Sequence, residues 1–424
     1  MRTRLPTLLV IAVTFLGLAA YRLTGKESAA ELRWYKGNLH THSLWSDGND
    51  YPEMITDWYK NQGYHFLALS DHNLLSRGDK WMDVAQANKR GDIGGLARYR
   101  ERFGDSWVEL RDQEGKQQVR LKPLDEFRDR FEEPGKFLMI QAEEITDKFE
   151  KLPVHINAHN LREAIRPQGG ASVRETIANN LAAVEAHSQS VGRPMLAHLN
   201  HPNFGWGVTA EDLAFVTAEK FFEVYNGHPG VNHNGDAKHV GLERMWDIAN
   251  TIRLGVLQAE PLYGLGTDDS HNYFGDRGAS PGRGWVMVHC DQLSPDSIIP
   301  AMKRGEFYAS SGVTLKSVHY SANAKSLKIV IDAEPGVQYT TSFIASVPPA
   351  ASKLPLSADG FDRNAEWIGK VVKSVSGLEP DYSLQGNELF VRAVVTANIA
   401  PVNPSFKGQR QQAWTQPVGW NAAR

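Results

Sequence analysis

The sequence predicts an α/β protein: a closed or nearly closed barrel of βα steps with a small antiparallel β domain behind it. Three observations carry this expectation. A chain of 424 residues has room for one enlarged barrel plus an appendage, with a substantial core. From Trp34 to about Cys290, short apolar runs alternate with helical patterns, the rhythm of a parallel βα repeat. After Ser311-Gly312 the texture changes to β-branched and aromatic runs separated by Pro, Gly, Ser and Asn, without a helical pattern.

Taken in order, the elements begin with Arg2 and Arg4 ahead of an apolar run from Leu5 to Ala20, followed by Arg22 and Lys26. This pattern reads as an export signal over residues 1–26, with small residues at Gly17/Ala19 and Ser28/Ala30 as cleavage positions. Left uncleaved, the segment would be a short anchor, since spanning takes ~20 apolar residues. The barrel is expected over 31–312, with strands ending at Leu39-His40, Leu69-Ser70, Ile140-Gln141, Ile156-Asn157, Leu196-Ala197, Val224-Tyr225, Leu265-Gly266 and Val288-His289. Helices are expected at Pro52–Gln62, which opens on a proline and closes before Gly63, and at Glu175–Ser190. Others are expected near Glu211–Val216, Gly241–Ile252 and Pro295–Lys303. The charged stretch 77–135 is too long for a plain connection and predicts an insertion over one end of the barrel. Strands at Ser326–Ile331, Val337–Ala345 and Glu388–Thr396 define the β domain, 313–424.

Composition narrows the function classes. Hydrophobic residues make up 41% and charged residues 22%, ordinary globular usage that excludes a disordered or multi-span chain. The net charge is −3, and without residues 1–26 there are 42 Lys and Arg against 49 acids, a net of −7. An acidic body does not suit a nucleic-acid polymer as partner. Cys290 is the only cysteine, so no disulfide forms within the chain. No Gly-rich loop stands between a strand and a helix to hold a nucleotide, and Ser46 and Ser311 lack a Ser/His/acid signature.

The fifteen histidines carry the argument toward chemistry, because most fall at strand ends. His40 and His42, spaced i, i+2 in extended chain, point to one face and can share a metal. They are followed by Asp47, then Asp71-His72, Glu143-Glu144, His155, His198 and His201, and Asp268-Asp269 with His271. Nitrogen and carboxylate donors at the C-terminal ends of barrel strands gather where such folds place their sites. By itself the spacing leaves Glu143 or Glu144, His198 or His201, and Asp268 or Asp269 open. His228, His233 and His239 lie in an irregular Gly- and Asn-rich segment and read as solvated loop residues, with His228 nearest the barrel mouth.

These residues resemble the PHP (polymerase and histidinol phosphatase) metal-dependent phosphoesterases. The resemblance runs through Gly37-Asn-Leu-His-Thr-His-Ser43, Leu69-Ser-Asp-His72, Glu144-Ile-Thr146, His155-Ile156, His201-Pro202 and Asp269-Ser-His271, and covers residues 34–312. It implies a distorted (β/α)7 TIM-like barrel holding two or three divalent ions (Mn²⁺, Zn²⁺ or Fe²⁺) that hydrolyse phosphate esters. Carried over by position, one ion would take His40, His42, Glu144 and Asp269. A second would take Glu144, His155 and His201, and a third Asp47, His72 and His271. Many relatives have histidine where this chain has Asp47. The motif context favours Glu144, His201 and Asp269 within their pairs.

Three divalent ions would bring about +6 into a concave mouth, a charge that Asp47, Glu144 and Asp269 would offset. Two ions ~3.5–4 Å apart polarise a phosphoryl oxygen and activate water for in-line attack, so no covalent phospho-enzyme is expected. Asp71 is expected behind the cluster, accepting from a ligating imidazole. Arg283, in Pro281-Gly-Arg-Gly284, is the candidate clamp for a phosphate oxygen, or else pairs with Asp276 or Asp269. The reading is a hydrolase of phosphomonoesters or phosphodiesters of a small organic phosphate, exported to the periplasm or medium. Its only expected membrane contact is an uncleaved N-terminal segment. The alternative is a non-catalytic metal-binding barrel whose β domain attaches it to a surface or partner. Hydrolysis of C–N bonds by a similar barrel is disfavoured, because Glu144 stands where a carboxylated lysine would bridge.

Overall fold

A computed structural model of the chain describes residues 32–91, 94–274, 278–349 and 361–420. The expected signal or anchor, 1–26, lies outside the described residues, as does Asp276. In chain order the strands of the first three quarters are β1 (Arg33–Asn38), β2 (Phe66–Leu69), β3 (Lys80–Asp83), β4 (Leu110–Gln113), β5 (Lys116–Leu121) and β6 (Leu138–Phe149). There follow β7 (Leu152–His159), β8 (Leu196–Leu199), β9 (Phe221–Asn226), β10 (Tyr263–Thr267), β11 (Trp285–Cys290) and β12 (Phe307–Ser310). The helices are α1 (Pro52–Asn61), α2 (Val84–Arg90), α3 (Gly95–Phe103), α4 (Leu124–Phe131), α5 (Val173–Val191), α6 (Ala210–Phe215), α7 (Leu242–Ile252) and α8 (Pro295–Lys303). After them come β13 (Leu315–Ser321), β14 (Ser326–Ile331), β15 (Tyr339–Ala345), β16 (Lys370–Ser376), β17 (Asp381–Ser383), β18 (Val391–Ala397) and β19 (Gln412–Thr415).

Local chemistry sets the helix ends. Ser172 caps α5 by accepting the Glu175 N–H, and Gly192 ends it in the left-handed region at φ 65°. Thr209 and Asp212 form a capping box at α6. α7 is buried at Leu242 and at every position from Met245 to Ile252, and Trp246 donates to the Leu262 carbonyl at 2.7 Å. All six residues of β9 are buried, as a strand covered on both faces requires. Among the described residues, no helix is long and apolar enough to cross a membrane.

Thirteen strands form one mixed sheet in the order β10-β9-β8-β7-β6-β2-β1-β11-β12-β19-β18-β15-β16. The ladders β1–β2, β2–β6, β8–β9 and β9–β10 are parallel, whereas β7 runs antiparallel to both β6 and β8. A uniform parallel repeat is therefore corrected. Two residues, Glu150 and Lys151, join β6 to β7, too short a link for the crossover that a parallel neighbour needs. The two ends of the run β10 to β1 meet just beyond the strands in a single parallel bridge, Thr41–Ser270. The ladders establish a large mixed sheet, and seven regular βα repeats are not established by them.

The insertion folds as a three-stranded antiparallel sheet, β3-β5-β4, with helices α2 to α4 beside it. Past Ser311, every ladder among the described residues is antiparallel: β13-β14-β17 form a small separate sheet, and β15, β16, β18 and β19 extend the large one through β12. Buried polar ties fasten this part to the α/β part. Arg392 of β18 forks onto Asp247 of α7 at 2.7 and 2.8 Å, and the Gln416 amide pairs with both backbone groups of Gly264.

Candidate metal centre

Six parallel-running strands deliver their C-terminal ends to one rim, and the reversed strand β7 delivers its N-terminal half there. Beyond β1, His40 and His42 stay extended and are tied to the end of β10: the Asp269 N–H donates to the His40 carbonyl at 3.0 Å and the His42 N–H to the Ser270 carbonyl at 2.9 Å. Beyond β2, His72 forms a parallel bridge with Glu144 in the middle of β6. His155 is only the fourth residue of β7 yet reaches the rim because its strand enters from that side, opposite Thr146. His201 follows β8. Asp269 and His201 sit at φ 48° and 21°, left-handed positions that cost a non-glycine residue about 1–3 kcal/mol and persist only where the surroundings impose them.

Asp47 returns to the rim on the loop after His42. At Gly48 any side chain would meet the His42 carbonyl carbon at 2.5 Å, so the turn that aims Asp47 requires glycine. Three groups of donors then lie within 4.8 Å of one another: His42, Asp47, His72 and His271; Glu144, His155 and His201; and His40, His42 and Glu144, with His40, His201 and Asp269 beside them. Every residue expected to hold an ion is therefore among these groups. His40 Nε2 and His42 Nε2 each lie 3.2 Å from Asp269 Oδ1, and both are 3.5 Å from a Glu144 oxygen. His155 Nδ1 stands 3.0 Å and His201 Nε2 3.4 Å from Glu144 Oε1, while His72 and His271 flank Asp47 at 3.4 Å.

His40 Nε2 and both ring nitrogens of His42 are fully buried and make no directed hydrogen bond. Buried polar atoms without partners are rare, and lone pairs that converge without donating to each other suit a shared cation. The electrostatics agree. Burial opposes ionisation of Glu144 and Asp269, yet the surrounding imidazoles hold both carboxyls well below the usual range. Against the same burial, Glu144 and Asp47 push His72 up to about 10, and Asp269, Glu223 and Glu144 raise His40 well above its ordinary value. Burial and the neighbouring His271 lower His42 to about 4. The cluster is a pool of negative charge partly offset by ring protons, which bound divalent ions would displace. Mixed N and O donors suit divalent metal ions.

Two solved structures are similar to this chain. One is a two-domain protein from Bacteroides vulgatus containing a predicted PHP-like metal-dependent phosphoesterase, 14% identical over 91% of this chain and 96% of that one, with a TM-score of 0.39. The other is a candidate metal-dependent phosphoesterase from Bifidobacterium adolescentis, 14% identical over 59% of this chain and 94% of that one, with a TM-score of 0.29. No family model and no curated protein matches the chain. The reading of the site as a metal centre rests on its donor geometry.

Strand alternation turns Glu143 away from the rim, where it accepts the Ile165 N–H at 2.5 Å and burial raises its pKa to about 7. Asp268 accepts from the Tyr59 hydroxyl and from the N–H groups of Gly282, Arg283 and Gly284. His198, 3.4 Å from Glu223 and 3.3 Å from His159, forms a further donor group with His40 and Glu223.

Two expected roles change. Asp71 accepts from the backbone N–H groups and hydroxyls of Ser43 and Ser46 at 2.5–3.0 Å. It thus organises the loop that carries Asp47, with no imidazole among its partners. Arg283 is buried, and its guanidinium donates to the carbonyls of Gly227, Gly278 and Asn403 and to Asn403 Oδ1. It is a strut between loops and not the expected phosphate clamp, and Asp269 is not its partner. The carboxylate behind the His40 imidazole is instead Glu223, which accepts from His40 Nδ1 and Thr267 Oγ1 at 2.7 Å, from the His201 N–H at 2.7 Å and from Asn226 Nδ2 at 2.8 Å. Its signal in the sequence was an acid inside the apolar run Phe221-Phe-Glu-Val-Tyr225.

Proposed function

We propose that this protein is a metal-dependent phosphoric ester hydrolase that acts on a small organic phosphate, monoester or diester. The observation that supports it best is the convergence of nine donors, His40, His42, Asp47, His72, Glu144, His155, His201, Asp269 and His271, into adjacent groups at one rim. Glu144, His155 and His201 would hold one ion; His40, His42, Glu144 and Asp269 a second; Asp47, His72 and His271, with His42 beside them, a third. Bound there, divalent ions supply the Lewis acidity that polarises a phosphoryl oxygen and activates water.

The chain's own groups prepare that chemistry. Glu144, Asp269 and Asp47 offset the positive charge, and Glu223 orients His40 so that Nε2 keeps its lone pair toward the centre. Ser43 and Ser46 both donate their hydroxyls to Asp71 and are not free to attack phosphorus, which supports direct attack by water. The Asp47 side chain is 52% exposed and lies on the open side, where an ester would enter. We extend the proposal to export, on the N-terminal pattern of residues 1–26.

The test is metal analysis of the purified protein together with hydrolysis of p-nitrophenyl phosphate and bis-p-nitrophenyl phosphate after loading with Mn²⁺, Zn²⁺ or Fe²⁺. Bound metal and chelator-sensitive turnover are expected. Bound metal without turnover on a broad ester panel would favour a non-catalytic metal barrel. Turnover unaffected by chelator would remove the basis of the proposal.

A further inference from the structure

A phosphate ester at this rim needs a donor for its non-bridging oxygens, and Arg283, the expected clamp, is engaged elsewhere. The loop after β9 offers another group. Asn226 donates to Asp269 Oδ2 at 3.1 Å and to Glu223 Oε2 at 2.8 Å, and its own Oδ1 accepts the backbone N–H of His228 at 2.7 Å. The backbone of His228 is thereby referenced to the metal centre through one side chain.

The ring is fixed as well. His228 Nδ1 accepts the Gly230 N–H at 2.9 Å, which assigns the lone pair to Nδ1 and the proton to Nε2. A Cβ at Gly230 would stand 2.9 Å from both Cε1 and Nδ1 of the ring, so the absence of a side chain there is what lets the imidazole lie against the loop. Its opposite edge carries Nε2, which makes no hydrogen bond among the described residues. The ring stands edge-on to His271, with centroids 5.5 Å apart, and 6.5 Å from Phe204, whose own ring is 5.1 Å from His201.

We infer that His228 is a substrate-binding residue: a neutral imidazole whose Nε2–H donates a hydrogen bond to a non-bridging oxygen of the bound phosphate ester. The inference rests on the phosphoesterase reading and deepens it. An imidazole accepting a backbone N–H at Nδ1 has no second proton to give, so its contribution is a fixed dipole aimed at the phosphoryl oxygen, and it does not protonate the leaving group. Phe204, one of the few exposed large apolar side chains among the described residues, forms the adjoining wall on which the organic part of the ester can rest.

Three measurements test this. Long-range ¹H–¹⁵N spectra of histidine-labelled, metal-free protein should show His228, assigned by its loss in His228→Gln, as the Nε2-protonated neutral tautomer; an Nδ1-protonated or doubly protonated ring would overturn the inference. Calorimetric binding of inorganic phosphate to the metal-loaded protein should weaken roughly 10- to 100-fold in His228→Ala at unchanged metal content, while His228→Gln, whose amide restores a donor, stays within about fivefold of wild type. Gly230→Ala, which displaces the ring without removing it, should reproduce most of the loss. Undiminished phosphate affinity in His228→Ala would overturn the assignment. In turnover, the His228→Ala defect should be equal for aryl and alkyl phosphates, and a defect growing with leaving-group basicity would mean proton donation and refute the neutral-donor role. Should the wild-type protein hydrolyse no ester, the phosphoesterase reading fails while the tautomer and phosphate-binding results still decide the assignment of His228.

Discussion

Glu223→Gln replaces one oxygen by an amide NH₂ in a fully buried carboxylate whose two oxygens both accept hydrogen bonds. On one side stand the His201 backbone N–H and Asn226 Nδ2, and an amide nitrogen placed there would oppose a backbone donor that has no alternative, a mismatch worth about 1–3 kcal/mol. On the other side stand Thr267, His40 and, at 3.4 Å, His198, all of which can adapt: the hydroxyl rotates, and an imidazole accepts at the nitrogen facing Glu223 if its proton moves to the other nitrogen. The glutamine should therefore turn its NH₂ toward His40. The cost then falls on metal binding, because Nε2 is the nitrogen that faces Glu144 and Asp269. Loss of such an orienting carboxylate lowers metal affinity roughly 10- to 100-fold, or about 1.4–2.8 kcal/mol. Competition between metal-free protein and a chromophoric chelator for Zn²⁺ measures it, with circular dichroism to verify the fold. Wild-type Zn²⁺ affinity in a folded Glu223→Gln protein would refute the argument that Glu223 sets the His40 tautomer.

Other perturbations separate the parts of the molecule. Glu144→Ala should remove more than one ion per chain, because Glu144 borders several donor groups, whereas Asp47→Ala should remove one and leave the melting temperature nearly unchanged; metal-to-protein ratios by atomic emission decide both. Arg392→Met leaves Asp247 buried beside Glu243 without its guanidinium partner, and should cost about 3–5 kcal/mol in urea unfolding; a loss under about 1 kcal/mol would show that this tie contributes little. Burial raises Glu219 to about 8 from an ordinary 4.5, so the folded state holds a proton that the unfolded state releases between those values. That group's stabilisation is complete below pH 4.5 and is lost as pH rises through 8, at up to about 1.4 kcal/mol per pH unit. Glu219→Gln should flatten this fall in thermal-melt series between pH 5 and about 9, and an unchanged slope would assign it to another group.

The strand and helix positions were legible in the chain because they rest on local pattern. Pro52–Asn61, Pro295–Lys303 and Ser326–Ile331 fold where apolar periodicity and end signals place them. The donor residues were legible for a related reason: chemistry-bearing side chains repeatedly follow apolar runs, and their types suit metal ligation. Strand direction was not legible, since an apolar run reads the same whichever way it enters a sheet. The reversal of β7, which brings His155 to the rim while sending His159 into the interior, follows from the short hairpin after Phe149 and its pairing with β6. Partner choice was equally hidden. Asp71, Glu223, Asp268 and Arg283 are all plausible polar residues near strand ends, and their roles depend on which donors and acceptors lie within 3 Å once segments 28 to 209 residues apart meet. A hydrogen bond is set by distance and direction in space, so only the folded chain assigns it, whereas periodicity is a property of neighbours along the chain and survives in the sequence.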